Sequence, residues 1–148
     1  MHEIVCRSTE GYRVEVRATG GHVIYTDERK RLGGEDTAMS PMQLLAASLG
    51  ACKVVTLLGV AQAYGLPVTG VEAHVSRRGE LHLTSPADHN QRRNFIGRLE
   101  LEIVVHGKLT AEQKRKLHEG VDACPVENTL RRPTPIDTTV IYPDDTPI

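Results

Sequence analysis

Tryptophan is absent from this 148-residue chain, and four Tyr and one Phe are its only aromatic residues. Its core must therefore be aliphatic, and there is no platform on which nucleic-acid bases would stack. Net charge is nearly absent as well. The formal value of -1 gives no electrostatic reason to expect nucleic acid or an anionic membrane as partner. The cysteines Cys6, Cys52 and Cys124 are too few for a disulfide scaffold. The start, "MHEIVCRSTEGYRVEV", alternates apolar and polar residues and lacks the apolar run of a secretory leader, so a cytoplasmic location is expected. In that compartment a cysteine pair is more often catalytic or redox-sensing than structural. None of the seven histidines falls in an H-E-x-x-H pattern, and no C-x-x-C occurs. No metal or other cofactor is expected on those spacings. His22, His74, His82 and His106 fall on predicted strands and read as surface residues.

Hydrophobic residues at 39% and charged residues at 25% describe a globular chain. With no repeat and no linker, residues 1–148 read as one domain. Residues 2–8 and 12–19 alternate as strands, with Val14, Val16 and Ala18 on one face and Arg13, Glu15 and Arg17 on the other. "ATGGHVIYTDE" predicts a second hairpin through Gly20 and Gly21, followed by the polar loop "RKRLGGEDTAMS". "VTGVEAHVSRRGELHL" and "GRLELEIVVHG" read as a long hairpin joined through "TSPADHNQRRN". A helix starts at Thr110, with Gln113 completing a capping box, and runs to about Val121. A short helix follows, with Cys124 as N-cap and Pro125 as its first residue, ending near Leu130. "IDTTVIY" is predicted to close the chain as a strand. The arginine pairs at 77–78, 92–93 and 131–132 read as solvated surface. This order specifies an α+β domain.

The segment "SPMQLLAASLGACKVVTLLGVAQAYGLP", residues 40–67, predicts a long helix. Ser40 serves as N-cap, Pro41 as first residue and Gln43 as the reciprocal capping partner, and Gly65 before Leu66-Pro67 is the stop. Although 24 residues could span a bilayer, Gln43, Ser48, Lys53, Thr56 and Gln62 interrupt the run. Lys53 at its centre would cost several kcal/mol in lipid. Gly50 and Gly59 each cost about 1 kcal/mol relative to alanine, which points to close packing against them. A helix apolar nearly all round needs cover on every side. One small sheet covers one face only, so a homodimer enclosing this helix is expected.

Cys52 lies about three turns into that helix, beyond the reach of its N-terminal dipole. Burial alone would raise its pKa, so a reactive Cys52 needs a positive group from elsewhere. Lys53 points about 100° away. An arginine of "ERKRLGG" is a better source, its charge being permanent. Cys124, at a helix start, would favour a thiolate if exposed. Against this stands the ordinary role of a free cysteine as a small buried hydrophobe, which is the reading for Cys6.

The motifs "SPMQLLAASLGACKVVTLL" and "ACPVENTL", with cysteines 72 positions apart, and the "GGEDTAMSP" lead-in resemble the OsmC/Ohr family of thiol-dependent peroxidases. That resemblance implies an OsmC-like fold, with antiparallel sheets around a long central helix in an intertwined homodimer carrying two active sites at the interface. It implies Cys52 as the peroxide-attacking thiolate and Cys124 as the resolving thiol. The substrate would be an organic hydroperoxide, and hydrogen peroxide is a further candidate. An external dithiol would be the reductant. The family's thiolate-holding arginine best matches Arg31, with Arg29, Arg13 and Arg7 as alternatives. The family's acid after the proline is replaced here by Met42. Gln43 beside it is neutral and is expected to cap the helix, while Glu127 could supply the missing charge or simply complement its own helix dipole. Without that acid, weaker peroxide reduction is expected, because preorganised charge is a large catalytic term. The rival is a non-catalytic dimer of the same fold that binds a small apolar ligand or senses redox state through its cysteines.

Overall fold

The computed structural model describes residues 3–78 and 96–142. The connection at 84–94, His82 and the arginines at 92–93 therefore lie outside the described residues. Strands β1 (Ile4–Ser8), β2 (Val14–Ala18) and β3 (Val23–Thr26) form an antiparallel sheet in sequence order. Val16 lies opposite both Cys6 and Ile24. The β2–β3 turn uses Gly20 and Gly21, both at positive φ, as the glycine pair predicts. After a 3-10 turn at Lys30–Leu32 comes α1 (Pro41–Ala63), then the hairpin β4 (Val68–Arg78) and β5 (Arg98–Gly107). Helix α2 (Ala111–Glu119), a 3-10 turn at Val121–Ala123 and α3 (Pro125–Leu130) complete the α+β order.

Both ends of α1 are set by local chemistry. The Gln43 N–H donates to Ser40 Oγ, and the Ser40 N–H donates to Gln43 Oε1, a closed capping box with Pro41 at the first position. At the far end Gly65 takes φ 59. Its N–H donates to Gln62 and that of Leu66 to Ala61. This paired arrangement satisfies two last-turn carbonyls and needs a residue without Cβ strain. Thr110 and Gln113 close the same box at α2.

Upstream of α1, Asp27 organises the loop. It is buried, and its carboxylate accepts the N–H groups of Glu28, Glu35 and Thr37 together with the Thr37 hydroxyl. The donated hydrogen bonds, that of the Thr37 N–H foremost, hold its carboxyl below the ordinary value.

On β4, Val71, Ala73 and Val75 turn inward while Glu72, His74 and Ser76 turn to solvent. The inward face packs on α1. Gly50 permits this approach, because a Cβ there would stand 3.0 Å from Val75 Cγ2. Gly59 differs: nothing lies within 4 Å of a Cβ built on it, so the close packing expected at that glycine is absent within one chain. Leu57, Ala61 and Leu117 form the buried cluster where α1 meets α2 and the hairpin. Burial of Leu57 stabilises by roughly 2 kcal/mol relative to exposure.

Among the described residues, nothing covers the rest of α1. Val55 is 70% exposed, and Leu58 and Ala51 share its side of the helix. Among the described residues the β1–β2–β3 sheet makes no extensive contact with α1 or the hairpin. Its apolar side chains Ile4 and Ile24 are exposed. Cys6 is exposed too, a correction to the buried reading, because among the described residues no layer covers this sheet.

The closing strand is also corrected. Residues 136–142 form no strand, and Ile136, Val140, Ile141 and Tyr142 are exposed. An alternating sequence becomes a strand only where it pairs with an edge, and residues 136–142 pair with none of the described strands.

Candidate functional site

Three short pieces meet at the middle of α1. Cys52 and Lys53 come from α1, the Val121–Ala123 turn approaches from one side, and Cys124 begins α3. Proline at 125 makes the geometry of that last step. It cannot donate an N–H and has its φ preset, so the chain enters α3 directly with Cys124 as N-cap. Cys124 Sγ accepts the Glu127 N–H at 3.5 Å, standing in for the usual capping oxygen.

Cys52 on α1 and Cys124 at the start of α3 are near enough for each thiol to act on the other's titration, and both are free. Their environments push them in opposite directions. The Cys52 thiol is held below its ordinary value, first by the Val126 N–H and next by the Cys124 thiol. The Thr56 hydroxyl, one turn along α1, adds to this, and the Lys53 charge contributes least. Cys124 is fully buried, and burial pushes its thiol up. The exposure that would have favoured a Cys124 thiolate is missing, so desolvation outweighs the helix start.

Within the chain, backbone N–H from the first turn of α3 acts on Cys52, rather than an arginine of the 28–34 loop. Arg31 sits in the Lys30–Leu32 turn and lines a cleft of about 490 Å³ together with Met42 and Gln43 at the start of α1. Gln43 is nine residues before Cys52, about 13 Å along the helix axis. The structure thus brings Cys52 and Cys124 together and leaves Arg31 away from them within one chain. The Gln43 carbonyl oxygen is engaged in its capping box.

Glu127 does not meet Arg31. Its carboxylate takes Lys53 on Oε2 and Arg131 on Oε1, the latter at 2.6 Å from Nη2. The Lys53 bond, ahead of that of Arg131, holds the Glu127 carboxyl below its ordinary value. Arg131, read from the sequence as solvated, is half of an i,i+4 pair, although its side chain stays 71% exposed.

Lys53 is the residue whose place the sequence reading missed. It is 2% exposed, and its ammonium also donates to the Val121 carbonyl. It does point away from Cys52, as expected, but inward rather than to solvent. Leu49, Lys53, Leu57 and Ala61 recur every fourth residue and are all buried. That spacing was the available signal. It was hidden because α1 is apolar on nearly every side and marks no single inner face.

On the outer face of the hairpin, Glu72 binds His106 at 2.6 Å and His74 at 3.5 Å. These exposed side chains lie apart from the thiols.

Comparison with known proteins follows the same outline. The family model described as OsmC-like protein matches residues 33–139. No curated protein matches the chain in sequence. Among solved structures, the chain is similar to an OsmC-like protein of Mycoplasma pneumoniae at TM-score 0.69 and 19% identity, covering 88% of this chain and 87% of that one. It is also similar to an organic hydroperoxide resistance protein OsmC of Legionella pneumophila, at TM-score 0.57 and 19% identity, covering 87% and 89%. A third is the organic hydroperoxide resistance protein OhrB of Bacillus subtilis, at TM-score 0.55 and 20% identity, covering 88% and 90%. At these identities the likeness is one of fold.

Proposed function

The chain belongs to the OsmC-like protein family, and on that footing we propose that it is a thiol-dependent peroxidase acting on organic hydroperoxides. One observation carries the reading. Two free thiols are neighbours, one held toward the thiolate and the other pushed toward the protonated form by burial. The first is suited to attack and the second to condense.

The Cys52 thiolate attacks the distal peroxide oxygen, the O–O bond breaks, and the alkoxide leaves as alcohol after taking a proton. Cys52 becomes a sulfenic acid. The Cys124 thiol then displaces water from it, forming the Cys52–Cys124 disulfide. An external dithiol reduces that disulfide and is itself oxidised. One hydroperoxide and one dithiol thus give one alcohol, one water and one oxidised dithiol.

The working unit in this reading is a homodimer. The exposed apolar side of α1 and the uncovered β1–β2–β3 sheet support it, since among the described residues of one chain neither has a covering layer. An arginine at Cys52 would then come across the interface, with Arg31 as candidate. A cytoplasmic site of action fits the free thiols.

A second reading, a redox sensor of the same fold, draws on Met42. With no carboxylate there to hold Arg31, oxidation would be slow and would not turn over.

The test is thiol titration of reduced protein mixed with cumene hydroperoxide, in a Cys6→Ser background because Cys6 is exposed. The peroxidase reading expects rapid loss of both remaining thiols, abolished by Cys52→Ser, and repeated cycles when a dithiol is supplied. Persistence of the thiols, or a disulfide that survives Cys124→Ser, overturns it. One slow round without cycling favours the sensor.

A further inference from the structure

Lys53 spans the turn that carries Cys124. Its ammonium reaches the Val121 carbonyl, three residues before that cysteine, and the Glu127 carboxylate, three residues after it. Both bonds are made in the interior, with the Lys53 side chain 3% and the Glu127 side chain 16% exposed. Arg131 holds the other Glu127 oxygen. The Glu127 N–H in turn holds Cys124 Sγ, and the adjacent Val126 N–H is the foremost group favouring the Cys52 thiolate. We infer that Lys53 and Glu127 form a positioning pair that fixes the first turn of α3, and with it Cys124 and the Val126 N–H, against Cys52. Neither residue touches the reacting sulfur, so both act through the backbone they hold. The inference rests on the peroxidase reading only for its purpose, since the positioning itself needs no peroxide.

A buried lysine beside a thiol invites a simpler explanation, attraction between ammonium and thiolate. The two explanations predict opposite signs. Among the described residues, the charged and titratable groups around Cys52 are Lys53 on its own helix, Cys124, and behind them Glu127 and Arg131 on the α3 side. If charge alone mattered, removing the negative Glu127 would favour the Cys52 thiolate. If positioning matters, removing it frees the α3 turn, weakens the Val126 N–H bond and disfavours the thiolate.

The experiment is the pH profile of Cys52 alkylation by iodoacetamide in the full chain, read by mass spectrometry. Wild type is compared with Glu127→Leu and with the double variant Lys53→Met/Glu127→Leu. The double variant removes one charge of each sign and replaces a buried pair with apolar residues of similar volume, an exchange that proteins tolerate. Because it also removes the Lys53 charge, which itself favours the Cys52 thiolate, the sign is read on the Glu127 variants, and Glu127→Gln takes the place of Glu127→Leu should the latter not fold. The expected result is a midpoint raised by about one pH unit in both, with disulfide closure by Cys124 slowed. An unchanged or lowered midpoint in the folded Glu127 single variant overturns the inference. Because alkylation is read without peroxide, a wild type inert to hydroperoxide would defeat the peroxidase reading and leave this result standing on its own.

Discussion

Cys52 on α1 and Cys124 at the start of α3 are neighbours, and the same short turn acts on them with opposite sign. Its Val126 N–H favours the charged form of Cys52, while its burial disfavours the charged form of Cys124. The attacking and resolving roles proposed for the pair follow from that difference rather than from any difference between the side chains themselves.

Alkylation should therefore be ordered. Cys52 is expected to react with iodoacetamide with a midpoint below the ordinary thiol value of 9.0, and Cys124 with one above it. The depressed thiol keeps its advantage above the folded midpoint and loses it as pH falls through that value. Peptide mapping after timed alkylation between pH 5 and 10 reads both; equal midpoints would remove the physical basis for two roles.

Met42 tests the catalytic shortfall. It lines the same cleft as Arg31, so Met42→Glu would place a carboxylate within that arginine's surroundings. Hydroperoxide-driven thiol loss should become several-fold faster, measured by stopped-flow under single-turnover conditions. A rate equal to wild type would separate the acid from the activity.

Val55 tests the proposed assembly. It is 70% exposed on the apolar side of α1. Val55→Lys would bury a charge if a second copy packs there, and would be harmless on a free surface. The expected outcome is a dimer for wild type and a monomer for the variant by sedimentation velocity. Two species of equal mass would show that this face is not the interface.

Asp27 supplies a pH-dependent part of stability. Its carboxyl lies below the unfolded value of 3.8, so its contribution is present above that value and is lost as pH falls through the lower folded one. Asp27→Asn keeps the shape but gives up the charge that gathers four donors. Thermal melts should show the variant less stable at pH 7, with the gap narrowing on acidification below 3.8. A constant gap across that range would mean the loop is held by shape alone.

Much of this molecule was written locally. Ser40, Pro41 and Gln43 announce the start of α1 and Gly65 its end, because a cap involves residues only two or three apart. Pro125 after Cys124 announces α3 for the same reason. The expected strand at 136–142 failed on the opposite ground: alternation states which residues could pair, but an edge to pair with must come from elsewhere.

The place of Lys53 could not be read because the α1 sequence is apolar nearly all round, and a helix with no polar face does not say which side is inside. What the sequence determined by itself was the set of elements and the two cysteine motifs that mark the family. What only the tertiary structure decided was that Cys52 lies beside the first turn of α3, and that a buried Lys53–Glu127 pair ties those elements together. Hydrogen bonds and ion pairs between residues some 70 positions apart depend on how helices dock, and docking is a property of the packed chain rather than of any one segment.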